Sequence, residues 1–202
     1  MESVYNVEQI SAIIKNRRSI YPYQYVQGKT IPNEIIWKIL ENAIHAPNHK
    51  QTEPWRFQVY SGDGLKYFAK IQADIYLNHA GKDFKQTRYE KLLSYPLMSS
   101  HVISIGMKRS ERKQLLPEIE EVEAVACAVQ NMFLTVTAIG LGCYWTTAGI
   151  TYMEEAKPFF DLDPDDKLLG FLYLGNLATP SDGPSKRSPV ETKVQWIDKY
   201  PV

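Results

Sequence analysis

The chain is expected to fold as a mixed helix-and-sheet domain, of α/β or α+β class, and three observations lead to that expectation. Apolar residues recur at helical spacing in several segments. Runs of β-branched and aromatic residues of strand length lie between them. The composition is that of a packed globule, with 44% apolar and 23% charged residues among 202. That length is enough to bury one sizeable core, and residues 1–202 are expected to form a single domain.

Taken in order, Asn6 with Gln9 three residues on resembles a helix start, and Val7, Ile10, Ile13 and Ile14 then share one helical face. This helix runs into Asn16-Arg17-Arg18-Ser19. A second helix is expected from Pro32, burying Ile35, Ile36, Ile39, Leu40, Ala43 and Ile44 and stopping around Ala46-Pro47. Arg56 to Tyr60 reads as a strand, followed by a Gly62-Asp63-Gly64 turn and a helix over Leu65 to Leu77. Asn78 to Tyr95 is polar, basic and aromatic, and reads as a surface helix pair or as a cover over a site. His101 to Met107 is rich in β-branched residues and predicts a strand.

Glu121 to Ile139 is a helix apolar on most sides, interleaved with alanine and threonine rather than with charge. Such a helix lies at the centre of its domain or in a subunit interface. Gly140 and Gly142 end it, and Cys143 to Thr147 reads as a strand or strand edge. After an acidic turn, Asp161 to Asp166, the run Leu168 to Leu174 predicts an inner strand. The tail carries Ser185-Lys186-Arg187-Ser188-Pro189 and closes with Val190 to Ile197.

Lysine plus arginine and aspartate plus glutamate balance at 23 each, which argues against a broad nucleic-acid or anionic-membrane footprint. The two cysteines, Cys127 and Cys143, form no CxxC and no metal-spaced cluster, so a reduced, cytoplasmic protein is expected. The opening MESVYNVEQISAIIKNRRS lacks a basic region followed by an apolar run, so no signal peptide is expected, and no stretch approaches the roughly 20 apolar residues of a membrane span. Gly62-Asp63-Gly64 has Tyr67 where a dinucleotide motif needs glycine. The acidic turn has Asp166 and Leu172 where a calcium loop needs glycine and a carboxylate, and reads as a solvated turn. His79 and His101 are isolated and read as surface or packing residues, and Trp55 as a core anchor.

Three polar clusters remain at element ends: Arg17-Arg18-Ser19, the loop Ala46 to Trp55, and Lys186-Arg187. Taken singly, each reads first as a solvated helix end or tail. Together, two basic clusters and a hydroxyl suit a phosphomonoester. Composition and spacing lead as far as a phosphate-bearing ligand and no further.

The order of these clusters resembles the nitroreductase family over nearly the whole chain. The resemblance rests on Arg17-Arg18-Ser19, on Ala46-Pro47-Asn48-His49-Lys50-Gln51-Thr52-Glu53-Pro54-Trp55, on the later apolar helix, on Gly140 to Trp145, on Gly170 to Gly175 and on the basic tail. The Pro-x-His-Lys loop with Gly-Phe-Leu-Tyr-Leu-Gly is most similar to the small bacterial NAD(P)H nitroreductase branch. Gln51 and Glu53 depart from the family's usual residues before Pro-Trp, so Glu53 is given no flavin contact.

The resemblance implies an α+β fold with a central, mostly antiparallel sheet flanked by helices, in an intertwined homodimer holding FMN at its interface. Arg17 and Arg187, with Lys186, would neutralise the FMN phosphate, and Arg18 and Ser19 would meet the phosphate or the ribityl and pyrimidine atoms. His45, Asn48 and His49 would reach the flavin from the partner subunit, while Trp145, Thr146, Thr147 and Gly149 would line the ring. The implied activity is ping-pong hydride transfer from NADH or NADPH through FMN to a small acceptor of nitroaromatic, quinone or enone type. No catalytic side chain is implied, because the flavin carries the chemistry. The alternatives are a flavin-binding module without turnover, or dehalogenation or flavin fragmentation on the same scaffold.

Overall fold

A computed structural model describes residues 4–111, 116–179, 183 and 186–198. Asn6 opens the first helix, α1 (Val7–Asn16), by accepting the Gln9 amide at 3.0 Å, which satisfies a donor that a helix start leaves open. α2 (Asn33–Ala43) begins directly after Pro32. Then come β1 (Trp55–Ser61), α3 (Asp63–His79), α4 (Gln86–Ser94), β2 (His101–Met107), α5 (Glu118–Ile139), β3 (Gly142–Thr146) and β4 (Lys167–Gly175).

The strands form one sheet in the order β1-β2-β4-β3, with every neighbouring pair antiparallel. Helices cover both faces, so the class is α+β, as expected. On one face Ile103, Ile105, Met107, Leu172 and Leu174 pack with α2 and α5. On the other, Val102, Phe171 and Tyr173 pack with α3 and with Ile150, Ala156 and Phe160. This double cover explains why β2 is buried at every residue and β4 from Gly170 to Gly175, and why neither alternates in the way a one-sided antiparallel strand does.

α5 presents Val125, Ala128, Val129, Met132 and Val136 to the core and ends at Gly140, whose φ of 81° is left-handed. Among the described helices it alone is long and apolar enough to cross a membrane by length and composition, yet its buried residues belong to the sheet-facing core. Arg109 and Glu121 form a buried ion pair beside its first turn. Asp166 is 2% exposed; its two carboxylate oxygens accept the Arg109 and Asp163 amides at 2.8 and 2.9 Å, so the acidic turn is held from within by this side chain.

The structure departs from the sequence pattern in four places. α1 buries none of its residues, and Val7, Ile10 and Ile14 are all about half exposed or more. Ile44, expected in the core, is 50% exposed just past the end of α2. Periodicity reports that a face is apolar, not what covers it. Glu154–Phe160 forms a 3-10 turn around Pro158 that no periodicity announced. The 78–95 segment resolves into the last turn of α3, a short turn at Gly81–Asp83, and α4.

His101 ties β2 to the start of α2. Its Nδ1 lies 2.9 Å from Ser100 Oγ, its Nε2 3.4 Å from Asn33 Oδ1, and Ser100 Oγ accepts the Ile31 amide at 2.6 Å. These partners assign the tautomer: Nε2 carries the proton and Nδ1 accepts from Ser100. Burial at 1% exposure pushes the imidazole below its ordinary value of 6.5. Below that value the unfolded chain takes up a proton that the folded chain refuses, so this contribution is whole at neutral pH and shrinks as pH falls. The stability gap between the native chain and His101→Gln, measured by urea unfolding, should therefore narrow from pH 7.5 to 5.5. A gap independent of pH would contradict this account.

Candidate functional site

Arg17 ends α1 by returning its amide to Ile13 O at 3.0 Å, and the chain then leaves in an extended course. Ile20 donates its amide to Cys143 O at 2.9 Å, so the segment runs beside the start of the edge strand β3. Tyr25 locks this arrangement. Its hydroxyl reaches the carbonyls of Ile20 and Tyr173 at 2.8 and 3.1 Å. Its ring lies so close to Gly142 and Gly175 that a Cβ at either would fall 2.8 and 2.2 Å from it. Glycine is required at both positions by this approach, and the result fixes where Arg17, Arg18 and Ser19 emerge.

The two arginines diverge. The Arg17 guanidinium sits 5.1 Å from the centroid of the Phe133 ring on α5, a cation–π contact. Arg18 turns into a cavity of about 280 Å³ lined also by Asn16, Gly140, Leu141 and Cys143. Its Nε and Nη2 are buried and have no hydrogen-bond partner among the described residues. Desolvated donors without acceptors are costly, and a guanidinium held this way fits an oxyanion such as a phosphate. Ser19 is exposed beside it. Burial pushes the Cys143 thiol well up, which leaves it an inert wall of the cavity.

At the other end of β3, Trp145 is spent on structure. Its Nε1 donates to Leu169 O at 3.0 Å and its ring packs on the core. Thr146 Oγ1 accepts the Ala148 amide at 3.1 Å, Thr147 is exposed, and Gly149 takes a left-handed φ of 76°. Thr146 and Gly149 line a second cavity, of about 410 Å³, together with Tyr21 and Tyr144, whose ring centroids are 4.6 Å apart. The lining also takes in α4 and the residue before it, with Lys85, Arg88 and Lys91. Arg18 and Thr146 thus lie along one sheet edge, and Cys143 to Thr146 spans about 10 Å by strand rise.

The loop after α2 lies elsewhere. Asn48 Oδ1 accepts the Glu53 amide at 3.0 Å, which braces a loop where Lys50, Gln51 and Glu53 hold left-handed φ values of 52°, 54° and 44°. Such angles in residues other than glycine are strained and mark a loop shaped for more than connection. His49 Nδ1 pairs with Glu120 Oε2 at 2.5 Å, in the first turn of α5, and His45 is exposed. Asn48 and His49 border α5 from Glu120 to Cys127 and Arg18's cavity borders it from Thr137 onward, so the two groups are separated by at least about 15 Å of helix at 1.5 Å per residue. Lys186 and Arg187 are exposed, and among the described residues Arg187 Nη1 donates only to Lys186 O at 2.8 Å.

Within one chain, then, the structure brings Arg18 into line with Thr146 and Gly149, and does not bring His45, Asn48, His49, Lys186 or Arg187 to them. Sequence reasoning missed Tyr21, Tyr144, Lys85 and Lys91. The 78–95 segment, with Arg88, Tyr89 and Tyr95, was readable as a surface helix pair or as a cover over the acceptor site; Arg88 and Tyr95 line the cavity, and Lys85 and Lys91 join them there.

Residues 14–176 match the family model described as Nitroreductase family. The chain is 30% identical over 142 residues, 70% of its length and 75% of the other's, to the Escherichia coli (strain K12) protein named "Putative NAD(P)H nitroreductase YdjA". Its fold is similar to that of a nitroreductase-like family protein from Bacillus cereus, with TM-score 0.77, 26% identity, and coverage of 98% of this chain and 100% of that one. It is also similar to a "putative nitroreductase in complex with fmn" from Desulfovibrio desulfuricans, with TM-score 0.67, 25% identity and the same coverage. The matched span takes in the end of α1, the strained loop and all four strands, and the chain belongs to the nitroreductase family.

Proposed function

We propose that the chain is a single FMN-binding domain that works as a cytoplasmic homodimer and carries hydride from NADH or NADPH to a small nitroaromatic, quinone or enone acceptor in ping-pong turnover. The observation that carries this reading is Arg18, whose buried, unpartnered donors face a cavity at one end of the β3 edge. Arg18 would hold the phosphate, with Ser19 beside it, and the stretch from Thr146 to Gly149 would lie along the ring. Bound there, FMN supplies the two-electron chemistry. The protein contributes position and fixed positive charge, and no side chain is required as a general acid or base.

The separation of Arg18 from the Asn48–His49 loop along α5 is in keeping with a dimer, in which a second copy would bring its own loop across to Arg18. The exposed apolar surface agrees: Ile10 and Ile14 on α1 and Ile139 on α5 line a shallow groove, and Trp196 in the tail is 85% exposed. A second copy would also bring up an Arg187 that, among the described residues, has no acceptor beyond its neighbour's carbonyl. The relatives supply the ligand classes, since one is named for NAD(P)H and another was solved with FMN. Cys127 and Cys143 are both free, as suits a reducing compartment.

The purified, FMN-reconstituted protein should show a flavin absorption band that bleaches anaerobically with NADH or NADPH. Bound flavin that neither nucleotide bleaches would leave a binding module and end the reductase reading. The double variant Arg18→Ala/Arg187→Ala should weaken FMN binding by about a hundredfold, the loss of two charge-assisted contacts; unchanged affinity would sink the phosphate assignment. Arg18→Met separates binding from folding. It should cost FMN affinity while the flavin-free chain melts at the same temperature or higher, because buried unpaired donors have been removed. A lower melting temperature would make Arg18 a structural residue.

A further inference from the structure

The cavity lined by Thr146 and Gly149 has one wall that the cofactor reading does not use. Lys85, Arg88 and Lys91 stand three residues apart, so they share one side of α4 and its entry, and all three border the cavity. No aspartate or glutamate lines it, and none of the three cations is paired with a carboxylate among the described residues. Arg88 is steadied over the Tyr76 ring at 5.8 Å. Tyr21 and Tyr144, a tilted aromatic pair, line the same cavity.

A cavity that holds both an aromatic pair and an unneutralised basic cluster suits a flat ring that carries a negative group. The rings supply stacking, and the three charges attract the anion through partly exposed solvent. We propose that this basic face of α4 binds the anionic group of a planar aromatic ligand, so that the enzyme selects carboxylate-bearing acceptors. The proposal rests on the flavin-reductase reading of the same cavity and adds the class of substrate to it. The same chemistry has a second source, the phosphates of the nicotinamide donor.

The test compares 4-nitrobenzoate with the neutral 4-nitrobenzamide on the FMN-reconstituted protein at low ionic strength. The read-out is the ratio of their kcat/KM values in the native chain and in Lys85→Gln/Arg88→Gln/Lys91→Gln, since comparing chains cancels the difference in reducibility. The triple variant should lower the benzoate-to-benzamide ratio about tenfold, each single variant about two- to threefold, and 0.5 M salt should lower the native ratio likewise. Lys66→Gln, an exposed α3 lysine paired with Asp63, should leave the ratio unchanged.

The anaerobic dissociation constant for NADPH is measured on the same proteins. A tenfold weakening there with the benzoate ratio intact places the anion on the donor, and loss of the ratio places it on the acceptor. If neither quantity moves, the basic wall binds no anion and the proposal falls. Equilibrium dialysis of 4-nitrobenzoate and 4-nitrobenzamide against the flavin-free full chain separates the two readings. A benzoate preference without any turnover would sustain the basic site and sink the reductase, and turnover without a charge preference would do the reverse.

Discussion

Burial of the β2–β4 strand pair on both faces is the constraint from which the remaining structure follows. Helices α2 and α5 close one side and α3 closes the other, so the two inner strands are spent largely on the core, with Phe171 and Tyr173 of β4 bordering the larger cavity. The rest of the candidate site sits where the sheet ends. β3 is the edge beside which Ile20 hydrogen-bonds, and β4 stops at the Gly175 against which Tyr25 packs. The same packing that removes water from Leu172 and Leu174 therefore sets Arg18 at one end of the β3 edge and Thr146 at the other.

Polarity is distributed in keeping with that constraint. Buried polar groups inside the core are closed on themselves: His101 with Ser100 and Asn33, Arg109 with Glu121, Asp166 with two amides. Arg18 is the contrast, with two buried nitrogens unanswered at the end of β3. A protein that satisfies its interior so fully elsewhere leaves a cation unsatisfied where something else is to satisfy it, and strain collects similarly at Lys50, Gln51 and Glu53.

Much of the fold was legible because burial writes a pattern into sequence. His101–Met107 was read residue for residue as a strand, and Gly140 as the end of the long apolar helix. Glu154–Phe160 was not legible, since a 3-10 turn built round Pro158 has no apolar period to betray it, and Ile44 belongs to the apolar period of α2 yet is 50% exposed. For the site, the Arg17-Arg18-Ser19 cluster could be found by its residue types. Which arginine stacks on Phe133 and which is left without acceptors depends on the course that Tyr25 imposes, and that contact joins Tyr25 to glycines more than a hundred residues away. The Asn48 loop was visible by composition, but its bracing of Glu53 and the pairing of His49 with Glu120 are tertiary facts.

The length of α5 between His49's partner Glu120 and the Gly140 end beside Arg18 has a genetic corollary. In a dimer whose sites each take Arg18 from one copy and the Asn48 loop from the other, two defective alleles can repair each other. A copy damaged at Arg18 and a copy damaged at Asn48 would pool both lesions in one site and leave the second site with two intact halves. Mixed dimers would recover up to half the sites of the native enzyme from two inactive parents. If the proposed dimer shares its sites in this way, a helix that keeps the halves of a site apart within each chain makes the locus one at which alleles complement.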